Sequence, residues 1–250
     1  MRYTMRPTPF PFAVSIMALM VAGPAMAQDE VQILSDWTYG TLYSSGWSVE
    51  NMFDTTEIID TTGEEIGDVE NVIFSNDGKV LGIVAEVGGF WDIGDTHVFV
   101  PWDEVMIGDT IQQAQVPVTE AAIEDYDGFS GYWGEEQVIT EADTNATTDV
   151  DDNLVAGAEI FKATDLIGDF VHLNDGARYG YVSDIIVENG AISAIVIDAA
   201  SYGRRGYYAY PYYRGGSSPA SPRYDMPYGG AEVDPIENFD YEQLRSRVVE

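Results

Sequence analysis

Cysteine is absent from all 250 residues. That removes disulfides, thiol nucleophiles, thiolate metal sites and a lipid-bearing cysteine behind a leader. Histidine is nearly absent, with only His97 and His172. Neither stands beside a nucleophile in a recognisable catalytic pattern, so acid–base chemistry at neutral pH has few side chains to draw on. Basic residues are scarce: 11 Lys and Arg oppose 43 Asp and Glu, for a formal net charge of −32. Such a surface repels phosphate and excludes nucleic acid as a partner. Among so many acids some carboxylate pair always lies close, so proximity alone does not indicate glycoside cleavage. Long apolar runs are also missing. Beyond residue 22 nothing approaches the roughly 20 apolar residues that span a bilayer.

What is present begins with an address. Arg2 and Arg6 precede an apolar run from Phe12 to Ala22, and Ala25-Met26-Ala27 follows as an A-x-A cleavage site. Residues 1–27 are therefore expected to be a secretory signal peptide, with the mature chain starting at Gln28 in the periplasm and carrying no transmembrane segment. Loss of Arg2 and Arg6 makes the charge balance more negative still. Lys79 is the only Lys or Arg between Gln28 and Phe161.

One pattern is written twice. Gly67-Asp68-Val69-Glu70-Asn71-Val72-Ile73-Phe74 leads through Asn76-Asp77-Gly78 to Val80-Leu81-Gly82-Ile83-Val84-Ala85-Glu86-Val87, and later to Val100-Pro101-Trp102. Gly180-Tyr181-Val182-Ser183-Asp184-Ile185-Ile186-Val187 leads through Asn189-Gly190 to Ile192-Ser193-Ala194-Ile195-Val196-Ile197-Asp198-Ala199, and later to Tyr210-Pro211-Tyr212. The second copy is one residue shorter at the turn, where a loop absorbs the change. Asp-Gly and Asn-Gly between β-branched runs predict hairpins. Residues from Val80 to Val87 are apolar on both faces of the strand, which predicts cover on both sides, as in a small closed or nearly closed barrel.

These residues resemble the PRC-barrel family. The resemblance rests on Gly63-Glu64-Glu65-Ile66-Gly67-Asp68-Val69, the Asp77-Gly78 hairpin, the β-branched strand after it, Gly88-Gly89-Phe90 and Val100-Pro101-Trp102, with a looser second copy. It implies an all-β fold of two small, strongly bent PRC-barrel-like β-barrels in tandem, with minor helical turns in the linker and C-terminus. The family's barrel occurs in the photosynthetic reaction centre H subunit and in ribosome maturation factors, where it looks like an adaptor, and no catalytic residues belong to its motif. A cleavable signal in place of the H subunit's transmembrane helix means that a photosynthetic role is not implied. An exported acidic protein meets no ribosome.

The expected organisation is a leader at 28–46, a first unit at 47–117, an acidic linker at 118–153, a second unit at 154–214 and a Gly/Ser/Pro/Tyr-rich tail at 215–250 ending in a short helix. Phe90 and Trp91, in a glycine-rich loop, are candidate partner-binding anchors together with Trp102. Arg204, Arg205 and Arg214, set among tyrosines, are candidate electrostatic contacts for the acidic first unit. Asp125, Asp127, Asp149 and Asp151 offer oxygens to a hard cation such as calcium, although neither stretch fits the twelve-residue binding loop and solvated linker is the simpler reading. His97 is expected on a strand surface. The functional expectation is a cofactor-free, non-enzymatic binding or adaptor module that docks on a protein or envelope component, with self-association left open. A cation-responsive acidic protein and a carboxylate-dependent envelope hydrolase are the alternatives.

Overall fold

The computed structural model describes residues 31–88, 96–108, 111–119, 137–218 and 221–245. The loop anchors Phe90 and Trp91, and Asp125 and Asp127, lie outside the described residues. Residues 31–250 cluster as one compact unit, and the fold is mostly β with short helices.

The described residues begin with a 3-10 turn (Leu34–Asp36), followed by α1 (Gly40–Ser45), β1 (Trp47–Ser48) and α2 (Val49–Thr55). Ser48 caps α2 by accepting a hydrogen bond from the Asn51 amide at 2.9 Å, which satisfies one of the helix's orphan donors. Then come β2 (Glu57–Ile59), β3 (Glu65–Ser75), β4 (Val80–Val87), β5 (Thr96–Pro101), β6 (Met106–Ile107) and β7 (Gln113–Gln115). A connector carries β8 (Val138–Ile139), β9 (Thr148–Val150) and β10 (Val155–Ala156). The second half follows as β11 (Ile160–Lys162), α3 (Ala163–Leu166), β12 (Phe170–His172), β13 (Arg178–Glu188), β14 (Ala191–Asp198), β15 (Tyr207–Pro211), β16 (Ser217–Ser218) and β17 (Ser221–Asp225). Helices α4 (Gly230–Val233) and α5 (Tyr241–Arg245) end the described chain.

The repeated sequence builds the same ladder twice. The first sheet runs β6-β7-β2-β3-β4-β5-β9 and the second β15-β14-β13-β12-β17-β16. Even the parallel pairing of β2 with β7 returns as β12 with β17. The second half therefore continues to Asp225, past the boundary expected at residue 214. The start of the expected tail contributes β16 and β17. These strands are too short to show a period, and β17 buries only Tyr224 fully. Within the expected linker, β9 pairs with β5.

The two halves also exchange their opening strands. β1 pairs with β13 of the second sheet, Trp47 opposite Val187, while β11 pairs with β3 of the first, Phe161 opposite Phe74. The two hairpin tips meet as well: Lys79 bridges Ala191, and the Val80 and Ile192 amides donate to the Gly190 and Gly78 carbonyls at 2.9 and 2.8 Å. Asn189 and Gly190 both take positive φ, of 52° and 74°, as a two-residue hairpin of the Asn-Gly type requires.

One large apolar core draws on both sheets, with Val69, Ile83 and Val98 beside Ile185, Ile195 and Tyr210. Each sheet's other face has its own cover. Connector residues Ile139, Val150 and Leu154 pack on Ile73, Val84 and Phe99 of the first. Leu42 of α1, Phe239 and Leu244 pack on Ile186, Val196 and Ala209 of the second. This two-sided cover explains why β4 and β14 are apolar on both faces. Among the described residues neither ladder closes on itself.

Candidate functional site

Three constellations concentrate the polar chemistry. The first lies at the seam. Asp184 on β13 is fully buried and accepts hydrogen bonds from the Ser48 hydroxyl at 2.6 Å, the Glu50 amide at 3.0 Å and the Ile185 amide at 2.7 Å. Desolvation pushes its carboxyl up from 3.8 to about 6, against these hydrogen bonds. Its counterpart in the first copy is Asn71, whose amide oxygen accepts from the Val72 amide at 3.1 Å and whose nitrogen donates to the Thr164 hydroxyl at 2.8 Å. Each side chain thus fastens one half's sheet to the other half's opening helix. This is structural work.

The second constellation is a cleft of about 580 Å³ where the N-terminal segment meets the C-terminal tail. Trp37, Tyr39 and Tyr43 line it, with Glu237, Asn238 and Gln243 facing them. Leu42, fully buried, anchors α1 to the second sheet. The rings are locked by their own polar tips: the Trp37 indole donates to the Ala209 carbonyl at 2.8 Å, the Tyr39 hydroxyl donates to the Glu237 carbonyl at 2.7 Å, and the Tyr43 hydroxyl accepts from the Asp240 amide at 2.8 Å. Phe239 stacks on Tyr43 with centroids 5.3 Å apart and meets Tyr39 edge-on at 5.4 Å. Burial holds the Tyr39 hydroxyl well above its usual range, so it stays protonated and a donor. The result is a rigid amphipathic surface that keeps polar atoms at its rim.

Arg204 fixes the tail that forms one wall. Its guanidinium donates to the Tyr179 hydroxyl at 2.7 Å and to the carbonyls of Val233, Asp234 and Ile236 at 2.6, 3.2 and 3.0 Å, while lying 4.0 Å from the Tyr208 ring centroid. A planar fork of donors suits several carbonyls at once. The expected contact with the acidic first unit is therefore corrected for Arg204: it grips backbone carbonyls and tyrosines of its own half. Arg214 does reach the first unit, donating to the Asn76 carbonyl at 3.3 Å; Asp77 beside it is held below its usual range chiefly by the Ser75 hydroxyl's hydrogen bond, with Arg214 adding a smaller share. The backbone carbonyl of Arg205 accepts from Tyr208 and Asn238. Trp102, the third candidate anchor, is half-buried and stacks on Trp47 with centroids 5.6 Å apart, so its ring meets the strand that crosses to the second sheet.

The third constellation joins Glu70, His97 and Asp152. His97 Nε2 lies 3.3 Å from Glu70 Oε2 and 4.0 Å from Asp152 Oδ1. Among the described residues this is the group whose ligating atoms gather as a metal would need. Asp149 and Asp151, expected as weak cation ligands, stand nearby on and after β9 but outside the group, and the Asp151 amide donates to Gln137 Oε1 at 2.5 Å. Glu70 and Asp152 carry no signal in sequence, because their partners are far apart along the chain. Trp37, Tyr39 and Tyr43 fall within the expected leader, and the tail that completes their cleft lies about 200 residues further along the chain.

Each half is an antiparallel ladder covered on both faces, with one parallel pairing, β2 with β7 or β12 with β17. Residues 53–117 match the family model of the PRC-barrel domain, so the chain carries a PRC-barrel domain there. No curated protein matches the chain. No helix among the described residues is long and apolar enough to cross a membrane.

Proposed function

We propose that the chain is an exported, non-enzymatic binding module in which two PRC-barrel domains in tandem form one platform. The cleft of Trp37, Tyr39 and Tyr43 receives a segment of a protein partner in the periplasm. The observation that carries this reading is the cleft itself: aromatic area immobilised by hydrogen bonds, set in a polar rim. Rigid aromatics provide contact area at little entropic cost, which is what interface anchors need. The PRC-barrel domain is a small β-barrel often used in binding or adaptor roles. The chain's net charge of −32 favours a partner segment that is basic beside its apolar anchor. Buried Asp184 and Asn71 are occupied in fastening the fold, which favours binding over catalysis. Export rests on the basic start, apolar run and A-x-A site at residues 2–27.

Ser35 and Thr38 line the cleft and are exposed, so Ser35→Arg with Thr38→Arg fills it without touching the core. Crosslinked pull-down from native periplasm is expected to yield a protein that binds the purified parent and loses at least tenfold in affinity for this variant at unchanged melting temperature. A partner that binds both equally would refute the cleft as the docking site.

A further inference from the structure

We infer that Glu70, His97 and Asp152 form a divalent transition-metal site, of the type that takes Zn²⁺, on the connector-covered face of the first sheet. Three separate elements are needed to make it. Glu70 is the extra residue of a β-bulge in β3, between Val69 opposite Ala85 and Asn71 opposite Val84, and bulges re-aim side chains. His97 sits on β5, directly across from Glu86. Asp152 arrives because β9 adds to the free edge of β5, placing Val150 opposite His97.

The spacing fits the ion. Zinc bonds of about 2.0–2.2 Å at tetrahedral angles separate ligand atoms by roughly 3.3–3.5 Å. The His97 nitrogen and Glu70 oxygen are already 3.3 Å apart, and all three ligand atoms lie within 4.8 Å of one another. Asp152, whose side chain is 80% exposed, has the freedom to close the remaining gap. An imidazole nitrogen among the ligands favours zinc over calcium or magnesium, which prefer oxygen alone.

The second half shows that the fold does not demand these residues. Its matching bulge residue is Ser183, between Val182 and Asp184, and the position across from Asp198 on β15 is Tyr207. Among the described residues β15 stands at the end of its ladder, with no strand corresponding to β9. Among the described residues the bulge carboxylate, the imidazole and the strand that delivers a second carboxylate therefore occur together in the first copy alone. The fourth charge facing the cluster, Lys162, is tethered by Nζ to the Leu154 carbonyl at 2.7 Å.

The test is calorimetric titration of the purified chain with Zn²⁺ in excess Mg²⁺, which occupies the general acidic surface. One Zn²⁺ per chain is expected, and Co²⁺ used as a probe should show the intense visible bands of a tetrahedral site. Asp152→Asn, at an exposed position, should weaken Zn²⁺ at least tenfold without unfolding the protein. His97→Gln should weaken it further, whereas Asp149→Asn should change it less than twofold. Binding that Mg²⁺ abolishes, or a single site indifferent to Asp152→Asn and His97→Gln, would overturn the assignment.

Discussion

Asp184 makes the fold sensitive to pH in a calculable way. The carboxyl is fully buried, and the groups it meets are hydroxyls and amides, so ionising it costs more in the folded chain than in the unfolded one. Its folded value is raised from 3.8 to about 6. Below pH 3.8 both states carry the proton and Asp184 contributes no penalty. As pH rises the unfolded chain ionises first, and folding loses stability until the folded carboxyl ionises near pH 6. At about 1.4 kcal/mol per pH unit, the gap is worth about 3 kcal/mol. Asp184→Asn removes the titration, and Asn71 shows that an amide can hold the equivalent seam in the first copy. Urea unfolding of parent and variant from pH 4 to pH 7 isolates the effect, because every other acid cancels in the difference, including Asp169, also raised to about 6 by burial. The variant's stability relative to the parent should rise by about 2.4 kcal/mol over that range, or by roughly 5–10 °C in Tm for a chain of this size. A difference that stays constant with pH would refute the claim that desolvation dominates at Asp184.

Two further predictions follow from packing. A Cβ on Gly67 would lie 1.9 Å from the Glu86 carbonyl oxygen, a clash of backbone with backbone, so Gly67→Ala should cost about 3 kcal/mol by chemical denaturation, while Gly40→Ala, with nothing within 4 Å, should cost nothing. Arg204 is held by carbonyls and tyrosines, so trypsin cleavage at Arg204 should be unchanged by roughly 1 M salt, which screens surface ion pairs. Arg204→Lys, lacking the planar fork, should speed amide exchange in residues 233–239 at least tenfold.

The parts of the fold that sequence reveals are those with a period or a turn signature. The hairpins at Asp77-Gly78 and Asn189-Gly190 and the two-faced apolar strand from Val80 were legible because β pleating and positive φ select particular residues. The exchange of β1 and β11 was not, since two or three residues carry no alternation and the pairing choice lies in tertiary packing. β9, β16 and β17 escaped for the same reason. The Arg204 contact went astray because charge complementarity pointed to the acidic first unit, whereas the donors of a guanidinium are equally well satisfied by nearby carbonyls. The cluster of Glu70, His97 and Asp152 depends on a bulge and on an added edge strand, neither of which local sequence displays.

The central functional claim is that the cleft between leader and tail is the docking surface. Its most direct measurement places a photo-crosslinking side chain at Thr38, inside the cleft, and at Thr62, exposed on the first half, and irradiates intact cells. Position 38 should give one discrete protein adduct that is absent from position 62. Equal adducts from both positions, or none from position 38, would contradict it.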